Sequence, residues 1–580
     1  MVSSKLLVLS SGLASAAVLD PRQATTASGE TTASATEPWY YQTTPELFAG
    51  PTTTGLIAPF LAQTNPAPWG AGASYVPNAP LETNVPIQGN TNNQSIFQLH
   101  GQLSSYFPNP IGFGSNEYPL PPGANISTVH VLHRHGSRYP TGTSSVASFG
   151  SKIQNITANG TAKWTGDLSF LNSWKYNLGA EILVARGRQE LFDAGVLFYY
   201  DYGALYNTST KIIARTTTQD RMLKSAEYFM AGFFGLEWTQ NASLVPIIEQ
   251  NLFNITLAGY MNCNNSNNYL STGGNNASVI WENIYLADAT KRLKALAGGY
   301  NWTVADSYNA QTLCPYEHVA FGYSQWCDLF TYEEWQGFEY SIDLQFNGNN
   351  GFGSPTGRAV GIGYVEELYA RLQGHLPNVP PGTTQINTTM VASTATFPLN
   401  QTLYFDFSHD TNIMSIITAF GLKQFAQPLG PTGPPANQQL IVSHTTPFGA
   451  RMASVWEIIH TPQPLKAIRP TSSNATASDY YTNGTATTYI HLTISQRTVP
   501  LYKSYPQCEE RDDGWCELST ILQIWGGLLD QAEYDYSCNG KYPAVAPGNI
   551  TNGVPISKRS LGRRFGSGLE FYESSDRWVL

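Results

Sequence analysis

"VHVLHRHGSRYPTG", residues 129–142, packs three histidines and two arginines between His130 and Arg138. The chain has 580 residues but only 10 histidines, and 12% of its residues are charged. The stretch opens with "STVHVLH", which alternates in the manner of a strand that ends at Gly136. On a strand His133 and His135 share a face and His130 falls on the other. A metal site fits poorly: no carboxylate or cysteine lies nearby, and the two interleaved arginines repel a cation. A nucleic-acid surface needs a wider basic patch than this chain offers, and the net charge is −10. His130 and His133 read as ordinary strand residues, with His133 buried and hydrogen-bonded. Arg134, His135 and Arg138 do not: two guanidiniums beside one imidazole repel each other unless an anion sits between them. The stretch therefore reads as an anion-handling centre at a strand end.

That reading requires more such groups at other strand ends. "TKIIART" (210–216) is a second strand, ending at Arg215 in "RTTTQDRMLKSA". Helical spacing follows in 221–233, with Asp220 as its expected N-cap. "TLYFDFS" (402–408) is a third strand. It leads into "SHDTN", where His409 and Asp410 precede the helix "NIMSIITAF", which Gly421 stops. Residues 178–198 read as a further helix. Strand, polar turn, helix thus occurs three times, which predicts an α/β core with its chemistry at the strand C-termini, where helix N-termini also favour anions.

Residues 1–17 have the form of a secretory signal: Lys5, the apolar run "LLVLSSGLASAA", and Ala14-Ser15-Ala16 for cleavage. About fifteen Asn-x-Ser/Thr sequons, among them Asn125, Asn155, Asn207, Asn301, Asn387 and Asn474, agree with export and N-linked glycans. No membrane span is expected. Six cysteines without C-x-x-C spacing favour three disulfides; proximity selects Cys314–Cys327 and Cys508–Cys516 from fifteen pairings, leaving Cys263 with Cys538. Residues 18–95 form a low-complexity, extended arm. The core is expected from 96–262 and 385–540, a helical covering subdomain from 263–384, and a loose tail from 541–580.

"RHGSRYP" followed far downstream by "SHDTN" resembles the histidine acid phosphatases, most closely their fungal branch with its phytases. "QLHGQLSSYF" (98–107), "CPYEHVAF" with "CDLFTYEEW" (314–335), "GRAVGIGYVEELYARL" (357–372), "YFDFSHD" (404–410) and "PFGARM" (447–452) extend the resemblance over residues 95–540. It implies a phosphoglycerate-mutase-like α/β core flanked by helices. It also implies the same cysteine pairing, although fungal phytases usually carry more cysteines. His135 would be the nucleophile, forming a phosphohistidine, with its second ring nitrogen donating to a backbone carbonyl. Arg134, Arg138, Arg215 and His409 would bind the phosphate, and Asp410 would protonate the leaving group at acidic pH. Asp220 and Arg221 also match the family's motif, though helix capping explains Asp220 as well. No cofactor or metal is called for.

Fungal phytases tend to place lysines after the first motif and in the segment matching "EEWQGFEYS". Here "TGTSSVASFGSK" has none before Lys152, and Gln336-Gly337 stands in a segment with no lysine. The expected function is therefore a broad, secreted acid phosphatase acting on small phosphomonoesters, with phytase as the alternative. A catalytically inactive binding glycoprotein is disfavoured because His135, Arg134, Arg215 and Asp410 are all present.

Overall fold

The computed structural model describes residues 85–556 except Asn93, Thr143 and 450–453, together with two short strands, Glu46–Phe48 and Phe60–Ala62. The signal segment, most of the expected arm, part of "PFGARM" and residues 557–580 lie outside the described residues. Residues 1–68 and 69–580 form separate units. In the first, the two short strands pair antiparallel.

The second unit is built on an eight-stranded sheet. Its strands are β1 (Asn125–Arg134), β2 (Ile212–Thr217), β3 (Ala242–Ile247), β4 (Leu403–Ser408), β5 (Ser454–Thr461), β6 (Thr487–Ile494), β7 (Arg497–Thr498) and β8 (Cys516–Glu517). The order is β7-β6-β5-β1-β4-β2-β3, with β8 on β6. β1, β4, β2 and β3 run parallel, β5 pairs antiparallel with β1, and β6 pairs antiparallel with β5. All six residues of β4, "LYFDFS", are buried, as expected of a central parallel strand covered on both faces.

One face carries helices Ala185–Tyr202 and Asp220–Phe234. They approach so closely that a Cβ on Gly195 would stand 2.1 Å from the Phe229 carbonyl, and one on Gly232 2.0 Å from that of Phe192. Phe229 fills the layer beneath, against Phe198, Phe405 and Phe407; truncating such a residue to alanine costs about 3–5 kcal/mol. The other face carries Gly357–Gln373 and Asp410–Ala419, with Gly361 against the Ser415 carbonyl.

The main elements within residues 263–384 are five helices: Gly273–Tyr285, Ala287–Leu296, Val304–Phe321, Tyr332–Asn349 and Gly357–Gln373. Two of these helices start with a reciprocal capping box, Thr303 with Asp306 and Thr331 with Glu334. The three disulfides are Cys263–Cys538, Cys314–Cys327 and Cys508–Cys516.

Three local expectations need correction. The helix expected over 178–198 begins at Ala185, because the chain first makes a backbone bridge between Arg138 and Leu183. The N-cap of the next helix is Gln219, and Asp220 occupies its first turn. Residues 541–556 are not loose. The carbonyl and side-chain oxygens of Asn552 accept from Arg358, and Thr551 and Gly553 donate to the Phe352 carbonyl, so this stretch closes over the helical layer.

Candidate active site

The four parallel strands end along one edge of the sheet. β1 delivers Arg134 and His135 there, β4 delivers His409 and Asp410, the first turn of the helix after β2 delivers Arg221, and the segment after β3 delivers Glu249.

His135 is buried, and its Nδ1 lies 2.9 Å from the Gly136 carbonyl. A carbonyl only accepts, so Nδ1 carries the hydrogen and Nε2 keeps its lone pair. Burial, then Arg134, Arg138, Arg221 and His409, hold the imidazole well below its ordinary pKa, so it stays neutral. The turn behind it is fixed tightly. A Cβ on Gly136 would stand 2.2 Å from the Gly187 carbonyl, so only glycine fits. Gly136 N donates to Ser225, Ser137 donates twice to Glu190, and Gly449 N donates to the His135 carbonyl.

Arg134 is fully buried. Its Nη1 donates to the carbonyls of Gln102 and Thr446, its Nη2 to Asp410 at 2.6 Å, and its guanidinium lies 4.6 Å from the centre of the Phe448 ring. Arg138 donates to the Tyr139 carbonyl, and Arg221 donates to Glu181 at 2.7 Å. Arg134, Arg138 and Arg221 each keep a buried Nε–H without a hydrogen-bond partner. Burial and Arg138 both depress Arg221. Three clustered cations with unspent donors present a site for a multiply charged oxyanion.

Arg215 does not join them. It sits within β2, not at its end, and spends its donors on Asp406 (2.7 and 2.8 Å) and Glu367 (2.7 Å), while Arg371 also pairs with Asp406. Two buried arginines face two buried acids, and all three side-chain nitrogens of Arg215 are committed to Asp406 and Glu367, so the structure does not bring Arg215 into the cluster expected to hold phosphate. Arg221, six residues further on, is the arginine that stands close to Arg134, His135 and Arg138. The spacing "ARTTTQDR" signalled an arginine in this turn but not which one.

His409 donates Nε2–H to Glu249 at 2.8 Å, and its ring centre lies 5.8 Å from that of His135. Glu249 also accepts from Tyr260 and Gln219. Burial would raise the Glu249 carboxyl, but His409, then the Thr217 and Tyr260 hydroxyls, outweigh it and bring it below its ordinary range. No sequence pattern marks Glu249; it follows β3 as one acid in "PIIEQN". Asp410 accepts from Arg134 and from Thr411 N at 2.9 Å. Burial pushes its carboxyl up, but Arg134, then Arg138, the Thr411 N–H and His409 leave it below its ordinary range. Of the other two histidines in the 129–142 stretch, His133 hydrogen-bonds the Arg134 carbonyl and His130 stacks on Tyr404. Among the described residues no cluster of His, Cys, Asp or Glu could hold a metal ion.

The model of the histidine phosphatase superfamily, branch 2, matches residues 125–457, from β1 into β5. The chain belongs to this superfamily. With membership comes the reaction class, hydrolysis of phosphoric monoesters. Phytase A of Aspergillus fumigatus is 33% identical over 376 residues, covering 61% of this chain and 77% of that protein. Phytase A of Aspergillus terreus is 35% identical over 354 residues, covering 58% and 74%. Among solved structures, a phytase from D. castellii matches with a TM-score of 0.57 at 21% identity, covering 78% of this histidine phosphatase and 89% of that chain. The multiple inositol polyphosphate phosphatase of Bifidobacterium longum, complexed with inositol hexasulfate, matches with a TM-score of 0.51 at 13% identity, covering 74% and 97%. At such identities these two structures establish the fold.

Proposed function

We propose that this protein is a secreted acid phosphatase that hydrolyses small phosphomonoesters through a phosphohistidine on His135. The observation that carries the reading is a neutral, buried imidazole with Nδ1–H committed to a carbonyl, set among three arginines with unspent donors. His135 Nε2 attacks phosphorus and the bond to the ester oxygen breaks. Asp410, protonated when substrate binds at acidic pH, gives its proton to the departing alkoxide. A water then attacks the phosphohistidine as the Asp410 carboxylate takes its proton, and inorganic phosphate leaves. The phosphoryl group stays anionic throughout, so preorganised donors dominate the rate; one such donor is worth about 3–4 kcal/mol of barrier. His409, with Nε2–H donating to Glu249, needs a hydrogen on both ring nitrogens to donate from Nδ1 to the phosphate.

Phytate hydrolysis is the second reading, favoured by the Phytase A relatives. Against it stand the absent lysines and the acid Glu181, half-exposed on Arg221, which disfavours a highly charged polyanion. Export is supported by the signal-like N-terminus, the sequons and three disulfides. Among the described residues no helix is long and apolar enough to cross a membrane. A phosphate-release panel at acidic pH decides between substrates. Aryl and sugar phosphates should be hydrolysed with kcat/KM at least equal to that for phytate. A strong preference for phytate selects the second reading, and no release from any ester rejects both.

A further inference from the structure

Helix Tyr332–Asn349 carries two acids one turn apart on its inner side: Asp343, fully buried, and Glu339, partly buried. Among the described residues neither pairs with a lysine or arginine. Their partners all come from one stretch of chain. Val442 N donates to Asp343 Oδ1 at 2.7 Å, the Gln438 amide donates to Asp343 Oδ2 at 2.6 Å, and the Ser443 hydroxyl donates to Glu339.

The same stretch runs directly into the active site. The Thr446 carbonyl accepts from Arg134 at 2.7 Å, the Phe448 ring lies against Arg134 and Arg138, Phe448 N donates to the Ser104 carbonyl, and Gly449 N donates to the His135 carbonyl at 3.0 Å. Residues 438–449 therefore tie the acid pair to the nucleophile and to a phosphate-binding arginine.

Two like charges on adjacent turns, one fully and one partly buried and with no counter-ion among the described residues, cannot both form cheaply. Burial pushes Glu339 up to about 7. Burial, then Glu339 itself, holds Asp343 well above the usual carboxylate range. Among the described residues, the groups around them supply no positive charge. Their own helix brings Tyr332 and Tyr340. The facing segment brings Ser443, the Gln438 amide and His444, whose ring is turned to Phe107 and is lowered by burial to about 4. Of the neighbours of this helix, Gly273–Tyr285 carries Glu282 and Tyr285, Val304–Phe321 carries Tyr308 against Phe338, and His100, against Trp335 and Phe338, is held well below its ordinary pKa by burial. Arg292 reaches the first turn of the acid-bearing helix but is committed to Glu334 at 2.9 Å.

We propose that Glu339 and Asp343 are positioning residues of this hydrolase: a carboxyl pair that clasps residues 438–449 onto Arg134 and His135 while it keeps a proton, and loosens them when both acids ionise. The cheapest relief for two buried like charges is to admit water, and the element between them and the active site is this segment. The fold thus carries its own preference for acid, separate from the protonation of Asp410. The inference rests on the roles given above to His135 and Arg134.

The test uses the full secreted protein and an aryl phosphate, whose leaving group needs little protonation. Wild-type kcat should fall reversibly as pH rises from about 5 to about 8, with a smaller change in KM. Glu339→Gln and Asp343→Asn should each keep a severalfold larger share of their acid-side kcat at the upper pH. Hydrogen exchange, corrected for its intrinsic pH dependence, should show wild-type amides of 438–449 losing protection over the same range while those of β1 and β4 do not. Unchanged profiles in folded variants, or unchanged protection of this segment in the wild type, overturn the proposal. The exchange measurement needs no variant to fold. A failure of the catalytic reading shows separately, as turnover surviving in His135→Ala.

Discussion

Arg134 Nη2 stands 2.6 Å from Asp410 Oδ2, so a phosphate donor and the proposed leaving-group acid are joined before any substrate arrives. The pair has two consequences. Asp410 is ionised in the free protein. A phosphoryl group that draws Arg134 onto its own oxygens also weakens the interaction that keeps Asp410 deprotonated, while bringing negative charge close to it. The acid would thus be armed by the substrate.

Asp410→Asn tests that role. An aryl phosphate should still phosphorylate the enzyme at a substantial rate, because its leaving group needs little help. An alkyl phosphate should lose about 10²–10⁴ in kcat, the usual worth of general acid catalysis. The quantity to measure is the ratio of mutant to wild-type rate for the two esters. Equal slowing of both removes Asp410 from the acid's role.

His135→Ala should abolish turnover with every ester and, under acid quench, leave no acid-labile phosphoenzyme. Its fold should persist, because the Gly136–Ser225 and Ser137–Glu190 contacts that build the turn do not involve the imidazole. A labelled phosphoenzyme trapped on another residue of the variant would move the nucleophile elsewhere.

Arg215 and Arg221 should separate stability from catalysis. Arg221→Ala removes a guanidinium held by one side-chain acid near the surface. It should lower kcat/KM by roughly a hundred- to a thousandfold and weaken inhibition by inorganic phosphate, with little change in Tm. Arg215→Ala leaves Asp406 and Glu367 buried with Arg371 as the remaining partner of Asp406, and should cost about 3–5 kcal/mol of folding free energy. Thermal melts and kinetics on both variants check this. A stable but inactive Arg215→Ala would restore that residue to the phosphate site.

This contrast also marks where the sequence stops being readable. The strands, the strand-to-helix junctions and the His135 turn follow from patterns within a few residues, and all are legible in "VHVLHRHGSRYPTG", "TKIIART" and "SHDTN". The cysteine pairs follow from proximity because two of the loops are short. The role of Arg215 depends on β2 lying beside β4 with Arg215 opposite Asp406, a relation between residues 191 apart. The contact of His409 with Glu249 spans 160 residues. Periodicity carries no information about either, so Arg215 looks from sequence like one more arginine near a strand end, and Glu249 like one more surface acid.

Stability should decline as pH rises toward neutrality, and Glu317 gives the clearest reason. It is buried on helix Val304–Phe321, accepting from Trp174 Nε1 at 2.8 Å and from Ser324 Oγ at 2.6 Å. Those two donors favour the carboxylate, but burial outweighs them and pushes Glu317 from 4.5 up to about 7. The folded state therefore holds this proton more tightly than the unfolded chain does. Its stabilisation is complete below the unfolded value, near 4.5, and is lost as pH rises through about 7. A shift of that size corresponds to roughly 3 kcal/mol for this one group. Denaturant unfolding at the two ends of the window, on wild type and on Glu317→Gln, measures it. The glutamine cannot titrate, so the variant's loss of stability across the window should be smaller than the wild type's by an amount of that order. An equal loss in both proteins would mean that Glu317 is already ionised in the folded state, and that its two donors, not burial, decide its charge.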